Sequence, residues 1–224
     1  MIINYHKKIG YTMNDIIDEI KQLYHVKKVT YAGRLDPLAY GSVIILTDDD
    51  IDKRDSYMKK DKIYEFKMVN GIQTDTFDIL GLITNNHQTI INEIKLGLQI
   101  MEYPPYSSVP IKEYNKPYWY CALNNLPIIN KPSKEINIYE LIKLDEIKYS
   151  KNELLEIIDE KISTIKKQTF RQKEIIEKWN NLLMDDEYNI TSYRIKLSSG
   201  GYVRYIADKL GGCAYDIYRK EYII

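Results

Sequence analysis

The chain has 224 residues, 44% hydrophobic and 29% charged, which fits one large soluble domain or two small ones. No run is apolar for the length a membrane span needs, the N-terminus shows no signal-peptide core, and two cysteines with three histidines argue against a disulfide framework or a zinc site and suit a reducing compartment. Lysine plus arginine and aspartate plus glutamate both total 32, so binding to nucleic acid must come from local clusters and not from a basic excess.

The first predicted element is a helix. Thr12 and Asp15 stand at capping-box spacing, and Ile16, Ile17, Ile20 and Leu23 then recur at helical period. Ahead of it lies Lys7-Lys8-Ile9-Gly10-Tyr11. Next comes Tyr31-Ala32-Gly33-Arg34-Leu35-Asp36-Pro37-Leu38-Ala39-Tyr40-Gly41. Pro37 holds Asp36 in an extended or turn conformation, Gly33 and Gly41 permit bends on either side, and Leu35 and Leu38 are apolar anchors. From the residues alone this is either an ordinary surface turn or a carboxylate mounted for covalent chemistry.

Ser42 to Thr47 reads as a buried strand. Asp48-Asp49-Asp50 closes it as a turn or helix cap, with nothing else at metal-ligand spacing. Lys60 to Val69 alternates, with Tyr64, Phe66 and Met68 on one face and Glu65 and Lys67 on the other. Gly71 to Gly81 is rich in Thr and Asp and reads as a polar loop joining two strands. Ile136 to Leu141 is a strand. Glu153 to Leu183 shows helical periodicity, forming a helix pair with a basic patch over Lys166, Lys167, Gln168 and Arg171. Tyr193 to Leu197 is an alternating strand, followed by Gly200-Gly201 leading into a helix whose amides suit a phosphate. The basic clusters Lys7-Lys8, Lys27-Lys28 with Arg34, and Lys166-Lys167 with Arg171 and Lys173 are candidate RNA contacts, and each also reads as a solvated face. The 21 tyrosines suit stacking on unpaired bases or filling of core and interface.

Gly33-Arg34-Leu35-Asp36-Pro37-Leu38-Ala39-Tyr40-Gly41 resembles the catalytic-aspartate motif of pseudouridine synthases, most closely the TruB family. Arg34 looks more like the sister families, and Tyr31 stands where the family has a histidine. The opening at Lys7 resembles the family's Lys-Pro-x-Gly segment, with Lys8 for the proline. Asp61-Lys62-Ile63-Tyr64 resembles the Asp-Lys-x-Tyr strand, and Gly71 to Gly81 matches Gly-x-x-Thr-Asp-Thr-x-Asp-x-x-Gly throughout. Tyr103 to Val109 and Asn115 to Leu123 resemble two further family segments. Ser198 to Gly211 resembles the segment that carries the family's arginine.

The resemblance implies an α+β pseudouridine-synthase fold: a mixed, mostly antiparallel central sheet with flanking helices and a catalytic cleft. It implies one catalytic domain over residues 1–224, with a helical insertion at about 150–186 and without the C-terminal RNA-binding (PUA) module of many members. The implied function is isomerisation of uridine in the T-loop of tRNA, with no cofactor, no metal and no membrane, by a cytoplasmic monomer bound to the T-arm. Asp36 maps onto the nucleophile, Arg204 onto its paired arginine and Tyr64 onto the tyrosine that stacks on the base. Lys7 is expected to contact backbone or phosphate. Tyr31, Arg34 and Tyr202 are expected near the substrate, and Tyr218, with Ile217 as the other choice, at the leucine that packs under the base. A synthase for another RNA and a non-catalytic RNA chaperone on the same scaffold are the alternative readings.

Overall fold

The computed structural model describes residues 1–86, 93–167 and 169–223. The chain opens with β1 (Ile2–Lys7), α1 (Met13–Tyr24), β2 (Val29–Ala32) and β3 (Ala39–Thr47). The expected capping box closes α1: the Thr12 side chain accepts from the Asp15 amide, and the Asp15 carboxylate accepts from the Thr12 amide. The inward face of α1 is Met13, Ile16 and Ile20, whereas Leu23 lies exposed beyond the packed turns. A 3₁₀ turn (Asp48–Lys53) leads into α2 (Arg54–Met58). There Asp50 pairs with the N-terminal amine and Lys53 at the surface.

β4 (Lys62–Asn70), β5 (Ile72–Thr74), β6 (Ile83–Asn86) and β7 (Gly97–Glu102) follow, then β8 (Pro110–Ile111), β9 (Lys116–Pro117) and α3 (Tyr118–Leu123). β10 (Ser133–Ser150) outruns the strand expected over 136–141. Its second half pairs only with one neighbour and is charge-rich, so no hydrophobic alternation marks it. α4 (Lys151–Ser163) and α5 (Gln172–Leu182) are the expected helix pair. β11 (Glu187–Leu197), α6 (Val203–Lys209) and β12 (Gly212–Tyr222) complete the chain.

Among the described residues, eight strands form the central sheet in the order β1-β3-β12-β4-β11-β10-β7, with β2 also on β3. Every pairing is antiparallel except β12 with β3, so the sheet is mixed and mostly antiparallel, as expected. Successive residues of β4 point to opposite faces, and each face has its own core. Met68 and Phe66 belong to the core with α1 and α6, and Val69 to the core with α4 and α5. The helix pair is thus packed as a layer: Leu154, Ile158, Ile162, Ile175 and Trp179 are all at most 1% exposed. Burying such a side chain contributes about 1.5–3 kcal/mol. Among the described residues no helix is long and apolar enough to cross a membrane.

Candidate active site

The loop between β2 and β3 is held from beneath at several points. Leu35 is buried in the core of one sheet face and Leu38 in the core of the other. Lys7, fully buried at the end of β1, donates to the carbonyls of Lys8, Pro37 and Ala39 at 3.2, 3.0 and 2.6 Å. Three ammonium donors meet three carbonyls, while burial pushes the Lys7 pKa down to about 7. Arg219 of β12, 1% exposed, donates Nε to Ser42 O at 2.6 Å, Nη2 to Gly33 O at 2.9 Å and Nη1 to Arg34 O at 3.4 Å. The backbone bends at Gly33 (φ 87°) and Gly41 (φ 109°), and a Cβ on Gly41 would strike the Arg219 carbonyl and the Tyr218 ring. Ala would be strained there by conformation and by contact.

This mounting presents Asp36 to Arg204 of α6. Arg204 Nε reaches Asp36 Oδ2 at 2.8 Å and Nη2 reaches Oδ1 at 3.2 Å, a two-point pair. The guanidinium is itself fixed. Nη1 donates to Thr76 O at 2.7 Å, Nη2 also donates to Tyr106 O at 3.2 Å, and Asp78 Oδ2 lies 3.7 Å from Nε. Arg204 is 3% exposed, and Asp36 keeps a quarter of its side chain open to the cleft. The Thr-Asp-rich loop therefore floors the site through the Thr76 carbonyl. The Thr74 hydroxyl donates to Asp78 O at 2.7 Å, and the Thr76 hydroxyl donates to Asp78 Oδ1 at 2.6 Å. Burial, against the pull of Arg204, raises the Asp78 carboxyl to about 6.

Asp36 and Arg204 lie in a cleft of about 520 Å³ also lined by Tyr31, Arg34, Tyr64, Tyr202 and Ile217. Residues 21–158 match the family model described as TruB family pseudouridylate synthase, N terminal domain.

The chain belongs to the TruB family.

Among its relatives, the tRNA pseudouridine synthase B of Mesoplasma florum is 34% identical over 163 residues, covering 68% of this chain and 55% of the relative. That of Malacoplasma penetrans is 32% identical over 155 residues, covering 65% and 66%. That of Thermotoga maritima is 30% identical over 141 residues, covering 61% and 46%. This TruB-family chain thus spans about half to two thirds of the length of these relatives. Its fold is shared with a Cbf5-Nop10-Gar1 complex at a TM-score of 0.53 and 11% identity, covering 99% of this chain and 48% of the other. It is also shared with an H/ACA RNP bound to a substrate RNA containing 2′-deoxyuridine, at a TM-score of 0.54 and 12% identity, covering 99% and 47%.

The structure brings Asp36, Tyr64, Arg204, Arg34, Tyr31 and Tyr202 of this TruB-family chain to one cleft. Two site expectations are corrected. Lys7 has no accessible surface, so of the two contacts considered it makes the backbone one and offers nothing to a phosphate. Tyr218 faces away from the cleft: in β12 it pairs with Glu65 and Tyr40, and its ring stacks on Tyr40 at 5.1 Å. Ile217 pairs with Phe66 on the core face and lines the cleft in its place.

Two further groups of expected contacts have partners within the protein. Gly201 N donates to Ser198 O and Tyr202 N to Met101 Sδ, so these amides are spent inside the protein. Of the cations in the helix-pair cluster, Arg171 is turned inward, 2.8 Å from Asp75, whereas Lys166, Lys167 and Lys173 stay exposed, Lys166 over the Tyr11 ring and Lys167 3.5 Å from Asp15. Gln168 lies outside the described residues. Among the described residues no group of three ligating side chains is placed to hold a metal.

Sequence reasoning missed Arg219, Arg54 and Lys134. Arg219 had a signal, because it stands two residues from Ile217 on an alternating strand and so shares its inward face. Arg54 and Lys134 had none. Arg54 donates to Tyr31 O at 3.2 Å and Lys134 to Ser199 O at 2.8 Å, so each lines the cleft through a tertiary contact.

Proposed function

We propose that this chain isomerises uridine to pseudouridine in the T-loop of tRNA, with Asp36 as the nucleophile. The observation that carries the reading is the two-point Arg204–Asp36 pair at the floor of a cleft walled by Tyr64. The isomerisation breaks the N1–C1′ bond and makes a C5–C1′ bond. The proton lost from C5 is matched by one gained at N1, so no atom is added. Asp36 attacks C1′ as the N1–C1′ bond breaks and leaves when C5 of the turned base bonds there. An ionised carboxylate is needed, and the guanidinium both favours the charge and orients its two oxygens.

The base must leave its stack to reach this floor, which costs a few kcal/mol, least in a loop. Stacking on Tyr64 returns ~1–3 kcal/mol. Among the described residues, the lining of the cleft includes Arg34, Arg54, Lys62, Lys134, Arg204 and Arg219 against a single carboxylate, Asp36. A chain of zero net charge thus concentrates positive potential where a strand of RNA would lie. Arg204, Arg219 and Lys62 are spent on protein acceptors. Arg34, Arg54 and Lys134 keep donors for phosphates on either side of the extruded nucleotide. With tRNA as substrate we take the cytoplasm as the compartment and one chain as the working unit.

The test is incubation of purified protein with an unmodified tRNA transcript, without added metal or cofactor, and mapping of pseudouridine at each uridine. Conversion of one T-loop uridine is expected. Conversion only in another RNA, or strict dependence on a divalent ion once the tRNA is refolded, overturns it.

A further inference from the structure

Arg204 is held by two backbone carbonyls, Thr76 O and Tyr106 O, which belong to segments far apart in the chain. One residue of the helix pair touches both segments. Arg171 Nη1 donates to Asp75 Oδ2 at 2.8 Å, beside Thr76, and its guanidinium lies over the Tyr106 ring at 4.6 Å from the centroid. Asp75 is bound in turn on its other oxygen, where Leu82 N donates to Oδ1 at 2.8 Å. The Arg171 side chain is 18% exposed and that of Asp75 24%, so their ion pair is partly shielded from water.

The backbone of Arg171 strengthens the case. It is the N-cap of α5, with φ 58° and ψ 27°, the left-handed region, and its side chain makes no cap hydrogen bond. A non-glycine residue is strained there, and Gly or Asn would suit the position better. An arginine held in that conformation is explained by what its side chain reaches. The guanidinium plane serves both contacts at once: the edge donates to a carboxylate and the face covers a ring.

We infer that Arg171 is a positioning residue for the reaction proposed above, a clamp from the helix pair that fixes the two carbonyls gripping Arg204 and so sets the angle of Arg204 to Asp36. The inference rests on that reading for its activity test, and a second measurement separates the two. Arg171 does not touch the reacting atoms. It acts through Asp75-Thr76 on one side and Tyr106 on the other, and a small misalignment of an oriented group is enough to slow a reaction by about 10–100-fold.

The experiment compares Arg171→Ala, Arg171→Lys and Ile175→Val, the last loosening the same helix without touching the clamp. Single-turnover pseudouridine formation at saturating enzyme is measured beside tRNA binding. Arg171→Ala is expected to lose about 10–100-fold in rate with its tRNA Kd within about twofold of the parent. Arg171→Lys, which keeps the charge but not the plane, should recover part of the loss, and Ile175→Val should run at the parent rate. In an Arg204→Lys background, Arg171→Ala should add little, because both act on one device. A rate loss no larger than that of Ile175→Val, or losses that multiply fully with Arg204→Lys, overturns the inference. The second measurement is the side-chain Nε–H resonance of Arg204 by NMR. It should shift and exchange faster in Arg171→Ala, and an unchanged signal overturns the clamp whether or not the parent converts uridine. A parent that converts no tRNA uridine but shows the shift keeps the clamp and rejects the reaction.

Discussion

Asp78 offers a way to separate what stabilises this protein from what its site needs. One positive charge, Arg204, faces two carboxylates, Asp36 by paired hydrogen bonds and Asp78 at 3.7 Å. Asp36 already neutralises it, so Asp78 is surplus negative charge, 7% exposed, in a desolvated floor. Burial first, and the Asp36 charge second, raise its pKa from 3.8 to about 6 against the pull of Arg204. A raised carboxyl means the folded state binds the proton more tightly than the unfolded chain. This group therefore contributes stability that is fully present below about pH 4 and is lost as pH rises through about 6. Two pKa units correspond to roughly 3 kcal/mol.

Asp78→Asn is nearly isosteric, and its Oδ1 can still accept from Thr76 Oγ1 and Leu80 N, the two bonds seen in the parent. The variant should match the parent near pH 4 and exceed it at pH 8 by up to roughly 3 kcal/mol, since it buries no charge. Urea unfolding followed by fluorescence will show this. Trp179 is fully buried with its Nε1 on Gly81 O, so it reports loss of the core. Single-turnover rate should fall in the same variant, because Arg204 loses one of the two carboxylates that orient it. A variant less stable than the parent by the same amount at both pH values refutes the surplus-charge reasoning. A more stable variant with the parent's rate would remove Asp78 from the positioning of Arg204.

Three further outcomes are expected. Asp36→Asn should abolish turnover while tRNA binding persists, and Arg204→Lys should be impaired well beyond a conservative change because it cannot make the two-point pair with Asp36; both are read by single-turnover conversion beside filter binding. Tyr64→Phe should keep most affinity and rate, whereas Tyr64→Ala should lose turnover with the ~1–3 kcal/mol of stacking. Replacing Arg34, Arg54 or Lys134 by Gln should each lower the slope of log K on log salt for tRNA binding by ~0.7–0.9, while neutralising Lys166 and Lys167, which face Tyr11 and Asp15, should leave it unchanged.

Features of this protein that depend on a few neighbouring residues were legible in its sequence. The Thr12–Asp15 cap, the alternation of β4 and the turn around Asp36 follow from backbone hydrogen bonding and φ preferences within about ten residues. The order of the family-like segments added the pairing of Asp36 with Arg204, 168 positions apart, which no local period contains. Tertiary structure alone decided the rest, because contact across strands depends on register. Two irregularities in the β12–β4 ladder, between Ala214 and Asp216 and between Arg219 and Glu221, set which residues of β12 face the core, and so Ile217, not Tyr218, meets the cleft. A charge on a helix or strand carries no mark of what it will face. The same kind of residue became a buried strut at Lys7 and Arg219, a clamp at Arg171 and a cleft cation at Lys134, according to which carbonyl, ring or carboxylate the packed layers brought to it.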